Sequence, residues 1–122
     1  MNTKPITPKV HGVMDYALAS MLLVGPPLLG LNKKATNVYR GMAANLLTYT
    51  AITDFEAGIK PVISLDTHKK VDYGNLAVFA AAFFMKSIQK DKKALAFHAA
   101  VTTIAVGNVL MTDWDAIPLL DY

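Results

Sequence analysis

The chain states one short pattern twice. Residues 11–16 read His-Gly-Val-Met-Asp-Tyr and residues 68–73 read His-Lys-Lys-Val-Asp-Tyr, so His68 and Asp72 stand 57 positions after His11 and Asp15. A second pattern recurs 59 positions on, as Thr53-Asp54-Phe55-Glu56-Ala57 and then Thr112-Asp113-Trp114-Asp115-Ala116. Two motifs returning in the same order predict a tandem of two helix-pair units in a single domain, 1–122. Repeat one covers about 8–58 and repeat two about 67–116. Each motif closes or opens an apolar run, so the ionisable groups are expected to gather at one end of the fold.

Composition narrows the surroundings such a fold needs. Apolar residues make up 53% of the chain and charged residues 17%, against about 25% charged in an ordinary soluble domain. That balance leans towards a membrane. The absence of cysteine excludes disulfides, thiolate catalysis and cysteine-ligated zinc or iron–sulfur sites. Residues 1–10 are polar, carry Lys4, Pro5, Pro8 and Lys9, and lead to no small-residue cleavage site, so the first apolar segment is expected to be kept as a helix.

Four helical segments are expected. The first spans about 8–31, with Gly25-Pro26-Pro27 kinking or breaking it near its far end. The second spans about 36–55 and follows the short turn Asn32-Lys33-Lys34, which makes the two antiparallel neighbours. Residues 56–67 form the longest connector. The third helix spans about 67–88 with Asp66-Thr67 at its N-cap, 89–93 make a charged turn, and the fourth spans about 94–111, with a tail stopped by Pro118. A soluble bundle would show a polar stripe on every helix, whereas 18–23 and 76–85 show almost none. With flanking charges at the headgroups, each run reaches the roughly 20 residues that a span requires. The expected fold is all-α, a four-helix transmembrane bundle built from two tandem two-helix repeats.

Charge placement gives an orientation. The side holding both termini and the 56–67 connector carries five lysines and eight of the nine acidic residues; the side holding the short turns carries seven basic residues against Asp91. Positive residues favour the cytoplasm, so the turns are predicted inside and both termini outside. Tyr16, Phe55, Tyr73 and Trp114 fall on the terminal side, where an aromatic belt would sit.

The motifs His11-Gly12-Val13-Met14-Asp15-Tyr16, Thr53-Asp54-Phe55-Glu56-Ala57-Gly58, and Pro61 followed by His68 and Asp72 resemble those of small bacterial membrane proteins of the SPW-repeat type. The resemblance covers roughly 6–116. The Ser-Pro-Trp motif itself is absent: residues 24–30 and then Phe83-Phe84-Met85 stand in its places. The resemblance implies a multi-pass protein of the bacterial inner membrane and brings no established activity.

Residues four apart share a helical face, so His11 with Asp15 and His68 with Asp72 form two same-face pairs. Antiparallel packing is expected to bring Asp54 and Asp113 to the same depth. The expected site is therefore His11, Asp15, Asp54, His68, Asp72 and Asp113, a donor set suited to a divalent metal such as zinc, iron or manganese. The reading placed ahead of the metal site is a structural network in which each histidine bonds its own aspartate, and proton-handling or hydrolytic chemistry is the third. Glu56 and Asp115 read as solvated, and His98 as a packed or interfacial residue. No phosphate loop, nucleophile elbow or His-Glu-x-x-His occurs. The basic turn at 89–93 reads as an anchor to anionic lipid, with no nucleic acid as partner.

Two functions of different class follow. One is a small membrane scaffold or interaction protein, with the lipid bilayer and a homo-oligomer or membrane protein as partners. The other is a metal-dependent membrane enzyme or metal carrier that acts on a lipid or small solute.

Overall fold

Side-chain caps decide where the helices begin. In the computed structural model, which describes residues 4–116, these are α1 (Pro8–Leu29), α2 (Lys33–Ala51), α3 (Leu65–Ala82), the single turn α4 (Lys86–Gln89) and α5 (Lys92–Leu110). Thr7 Oγ1 accepts from Val10 N–H at 3.3 Å to start α1, and Ser64 Oγ accepts from Thr67 N–H at 3.1 Å to start α3. The cap of α3 is thus Ser64, two residues earlier than expected, which leaves Asp66 in the first turn where its charge suits the helix N-terminus. Asn32 caps α2 and Asp91 caps α5, and the two caps bond each other, Asn32 Nδ2 donating to Asp91 Oδ2 at 2.9 Å. The Asn32 amide and the α5 backbone N–H groups hold the Asp91 carboxyl below its ordinary range.

The helix ends depart from the sequence expectation in three places. The first helix runs through Pro26 and Pro27 and stops at Gly30, whose φ of 68° lets the chain turn while Leu31 N–H bonds Pro26 O at 3.0 Å. The second ends at Ala51, because Asp54 N–H and Ile63 N–H bond across to Ile63 O and Ile52 O at 2.8 and 2.9 Å. The third stops at Ala82, and α4 then turns Ile88 fully into the core. Pro118 lies outside the described residues.

α1 packs on α2 and α5, and α3 packs on α5, so the four long helices form a ring that stays loosest between α2 and α3. The core between them holds Leu18, Leu22, Tyr39, Leu46, Phe79 and Val101. At the end near the short turns, His98 is fully buried; its Nε2–H donates to Phe79 O at 2.7 Å and its Nδ1 accepts from Tyr39 O–H at 2.8 Å. His98 is therefore a packed residue that ties α2, α3 and α5 together.

Two helices, α1 and α5, are long and apolar enough to cross a membrane, yet only 33% and 39% of those stretches are buried inside the fold. Their outward faces carry Val13, Val24, Leu28, Leu95 and Leu110.

Gly12 explains part of the first motif. A Cβ there would lie 2.3 Å from the Ala57 Cβ and 2.7 Å from the Phe55 ring, and Tyr16 O–H donates to Ala57 O at 2.8 Å beside it. The 56–64 connector thus lies directly against the start of α1. Gly12→Ala gains about 1 kcal/mol of helix propensity but meets overpacking of about 1–3 kcal/mol. A net loss of stability is expected in a detergent unfolding titration, and a gain would show that the connector yields easily.

Candidate functional site

The N-terminal turns of α1 and α3 contribute to one buried cluster. His11 and Asp15 lie in the first two turns of α1, His68 and Asp72 in the first two turns of α3, and all four are buried, the two histidines completely. The same-face pairs are present, with His11 Nε2 3.3 Å from Asp15 Oδ2 and His68 Nε2 3.3 Å from Asp72 Oδ2. The shorter contacts cross between helices: His11 Nε2 to Asp72 Oδ2 is 2.8 Å and His68 Nε2 to Asp15 Oδ2 is 3.0 Å. Four side chains thereby close a ring of alternating nitrogen and oxygen.

The residues behind this ring fix its chemistry. Thr53 O–H donates to Tyr49 O at 2.5 Å, and Thr112 O–H donates in the same way to Asn108 O. Each hydroxyl has one proton, so each threonine oxygen can only accept from the imidazole nitrogen 2.8 Å away, His68 Nδ1 for Thr53 and His11 Nδ1 for Thr112. Both Nδ1 atoms therefore carry hydrogen, and both Nε2 atoms face the carboxylates. Such an Nε2 holds either a second proton or a lone pair aimed at a cation.

Each carboxylate is held from behind as well. Asp15 Oδ1 accepts from Asn108 Nδ2 at 3.2 Å and its Oδ2 from Thr50 at 3.2 Å, while Asp72 Oδ1 accepts from Tyr49 O–H at 2.6 Å. Trp114 lies against His11 with ring centres 4.6 Å apart, and Phe55 against His68 at 5.5 Å. These two aromatics, expected in a belt at the membrane surface, cover the imidazoles instead.

Of the six residues read from the sequence as one site, the fold brings together His11, Asp15, His68 and Asp72, whose ligand atoms all lie within 4.8 Å of one another. Asp54 and Asp113 fall outside that group. Asp54 is exposed on the connector because α2 ends before it, and Asp113 turns its Oδ1 to Asp115 N–H at 3.1 Å. Their neighbours Thr53 and Thr112 face inward in their place. Sequence reading passed over those threonines, and over Tyr49 and Asn108, although each pair stands 59 positions apart, as Asp54 and Asp113 do.

The cluster can hold charge in two balanced ways. Two imidazolium ions neutralise two carboxylates, or one divalent cation does so with both imidazoles neutral. Burial demands one of them, since an unbalanced charge in this interior would be costly. A tetrahedral site with bonds of roughly 2.0–2.1 Å has ligand edges of about 3.3–3.4 Å. Four of the six edges, the nitrogen–oxygen ones, are 2.8, 3.0, 3.3 and 3.3 Å, equal to that length or up to about half an ångström shorter, and all four ligand atoms lie within 4.8 Å of one another. No family model, curated protein or solved structure matches this chain.

Proposed function

We propose that this is a small multi-pass membrane protein that holds one divalent metal ion on His11, Asp15, His68 and Asp72 at the outer end of its helix bundle. The observation that carries the reading is the pair of threonine-locked imidazoles, both of which turn Nε2 towards two carboxylate oxygens. Metal-bound histidines are oriented in this manner by an acceptor on the other ring nitrogen. Zinc fits best, because it favours four ligands of nitrogen and oxygen in a tetrahedron. Four protein ligands leave no open position for an activated water, so the site suits a structural or carried ion better than hydrolysis.

The membrane reading rests on the outward apolar faces of α1 and α5, of whose apolar stretches only 33% and 39% is buried inside the fold. With α2 and α3 completing a four-span bundle, the lysine-rich turns lie in the cytoplasm and the metal near the opposite surface. The matched contacts of His11 with Thr112 and of His68 with Thr53 support a tandem origin for the two halves.

A second reading is favoured by the two shortest edges, 2.8 and 3.0 Å, which are hydrogen-bond lengths. In it the four side chains are an ion-paired clasp that fixes how α1 and α3 meet in a scaffold or interaction protein. Metal analysis separates the two. Protein purified in mild detergent without affinity metal is expected to carry close to one zinc per chain, and His11→Ala with His68→Ala to carry none. Metal-free wild type that takes up no added zinc, iron or manganese sinks the metal reading and leaves the clasp.

A further inference from the structure

The two short turns, far apart in the sequence, are joined into one surface. Asn32 Nδ2 donates to Ser87 O at 2.7 Å and to Asp91 Oδ2 at 2.9 Å, which ties the turn before α2 to the turn before α5. Six lysines flank this junction: Lys33 and Lys34 follow Asn32, Lys86 precedes Ser87, and Lys90, Lys92 and Lys93 surround Asp91. All six are exposed, and among the described residues none is in an ion pair. The one acid among them is already engaged. Its Oδ2 accepts from Asn32, and its Oδ1 accepts from Lys93 N–H and Ala94 N–H at 3.0 and 3.2 Å.

An apolar layer lies next to these charges. Leu28 and Leu29 close α1 and Phe84 and Met85 follow α3, so both pairs come just before a lysine-bearing turn. Leu28 and Phe84 are each 79% exposed. From the helices outward the surface is first apolar and then cationic, which is the order of acyl chain and phosphate in a phospholipid. A nucleic acid would meet the same charge, but its sugar-phosphate backbone offers nothing to the exposed leucines and Phe84.

We propose that this end of the bundle binds anionic phospholipid, with headgroup phosphates against Lys33, Lys34, Lys86, Lys90, Lys92 and Lys93 and acyl chains along Leu28 and Phe84. Its placement at the cytoplasmic leaflet rests on the membrane reading above. A lipid preference goes beyond that reading, since the excess of lysine by itself sets only a direction of insertion.

Spin-labelled lipids added to the full chain in phosphatidylcholine bilayers test this, because the fraction immobilised at the protein gives the relative association of phosphatidylglycerol and phosphatidylcholine. Wild type is expected to prefer phosphatidylglycerol by at least about fivefold, the factor that one engaged lysine supplies, and to lose most of that preference in molar salt. Lys33→Gln, Lys34→Gln, Lys86→Gln and Lys90→Gln combined are expected to remove most of it, whereas Lys60→Gln with Lys70→Gln, at the other end, leaves it unchanged. Equal association of the two lipids with wild type, or a preference that the fourfold variant keeps, overturns the proposal. So does loss of the preference to millimolar inorganic phosphate or a micromolar oligonucleotide at constant ionic strength, which would mean a free-phosphate or nucleic-acid surface. If the fourfold variant does not reconstitute, the salt and competition series on wild type decide. Flotation with preformed vesicles separates this proposal from the spanning reading. A chain that is soluble without detergent and floats only with phosphatidylglycerol vesicles keeps the lipid surface and loses the spans, whereas an inserted chain with no lipid preference loses the lipid surface alone.

Discussion

Asp15→Ala is expected to lower the stability of the protein by about 3–5 kcal/mol, because it leaves two buried imidazoles with one carboxylate. His68 Nε2 loses its 3.0 Å partner and Thr50, Asn108 and His11 each lose an acceptor in the same step. Asp72→Ala is expected to cost a similar amount, since Asp72 stands in the matching place with Tyr49 behind it. Replacing His11, Asp15, His68 and Asp72 together by leucine removes both signs of charge at once, and such concerted replacements are often neutral or stabilising. The fourfold variant is therefore expected to be more stable than either single variant and to carry no metal. Equilibrium unfolding in mixed micelles measures this. A single aspartate variant within about 0.5 kcal/mol of wild type would show that the cluster is hydrated and that its charges are not confined.

The sequence pattern made the cluster legible because its two halves are helical i,i+4 pairs, and that spacing survives any rearrangement of the helices. On this ground His11 could be placed with Asp15 and His68 with Asp72, and the repetition of the motif put the two pairs at one end of the fold. The aspartates of the second motif could not, because their facing depended on where α2 and α5 end. An expected helix to residue 55 directs Asp54 inward. The real stop at Ala51 hands that direction to Thr53, through backbone pairing with Ile63 that no local propensity encodes. The cross-helix bonds were illegible for a related reason: which histidine meets which aspartate most closely is set by how α1 and α3 sit in the ring. The kink expected at Pro26-Pro27 gave way to a helix that runs through them to Gly30. Pro26 and Pro27 deny donors to the carbonyls of Leu22 and Leu23, and the helix reaches its end at Leu29, two residues beyond them.

Thr53→Val and Thr112→Val are expected to weaken zinc binding by about 10–100-fold each, the usual consequence of removing the group that orients a metal-bound imidazole. Valine keeps the shape of threonine and removes only the oxygen, so Nδ1–H of His68 is left buried without its 2.8 Å acceptor, whereas that of His11 keeps Asn108 O at 3.3 Å and puts Thr112→Val at the low end of the range. Leaving such a donor unpaired costs about 1–3 kcal/mol, which is the range a 10–100-fold loss requires. Thr→Ser keeps the hydroxyl and is expected to restore most of the affinity, whereas Asp54→Asn, on the exposed neighbour, is expected to change nothing. Competition with a chromophoric chelator gives the affinities. Nitrogen-15 NMR of the imidazoles gives an independent reading, because Nδ1 must be the protonated nitrogen of His11 and His68 in metal-bound protein. Valine variants that bind zinc as tightly as wild type would mean that the threonines do not orient the ring. A spectrum with hydrogen on Nε2 and a bare Nδ1 would go further and invert the proton assignment on which the metal reading depends.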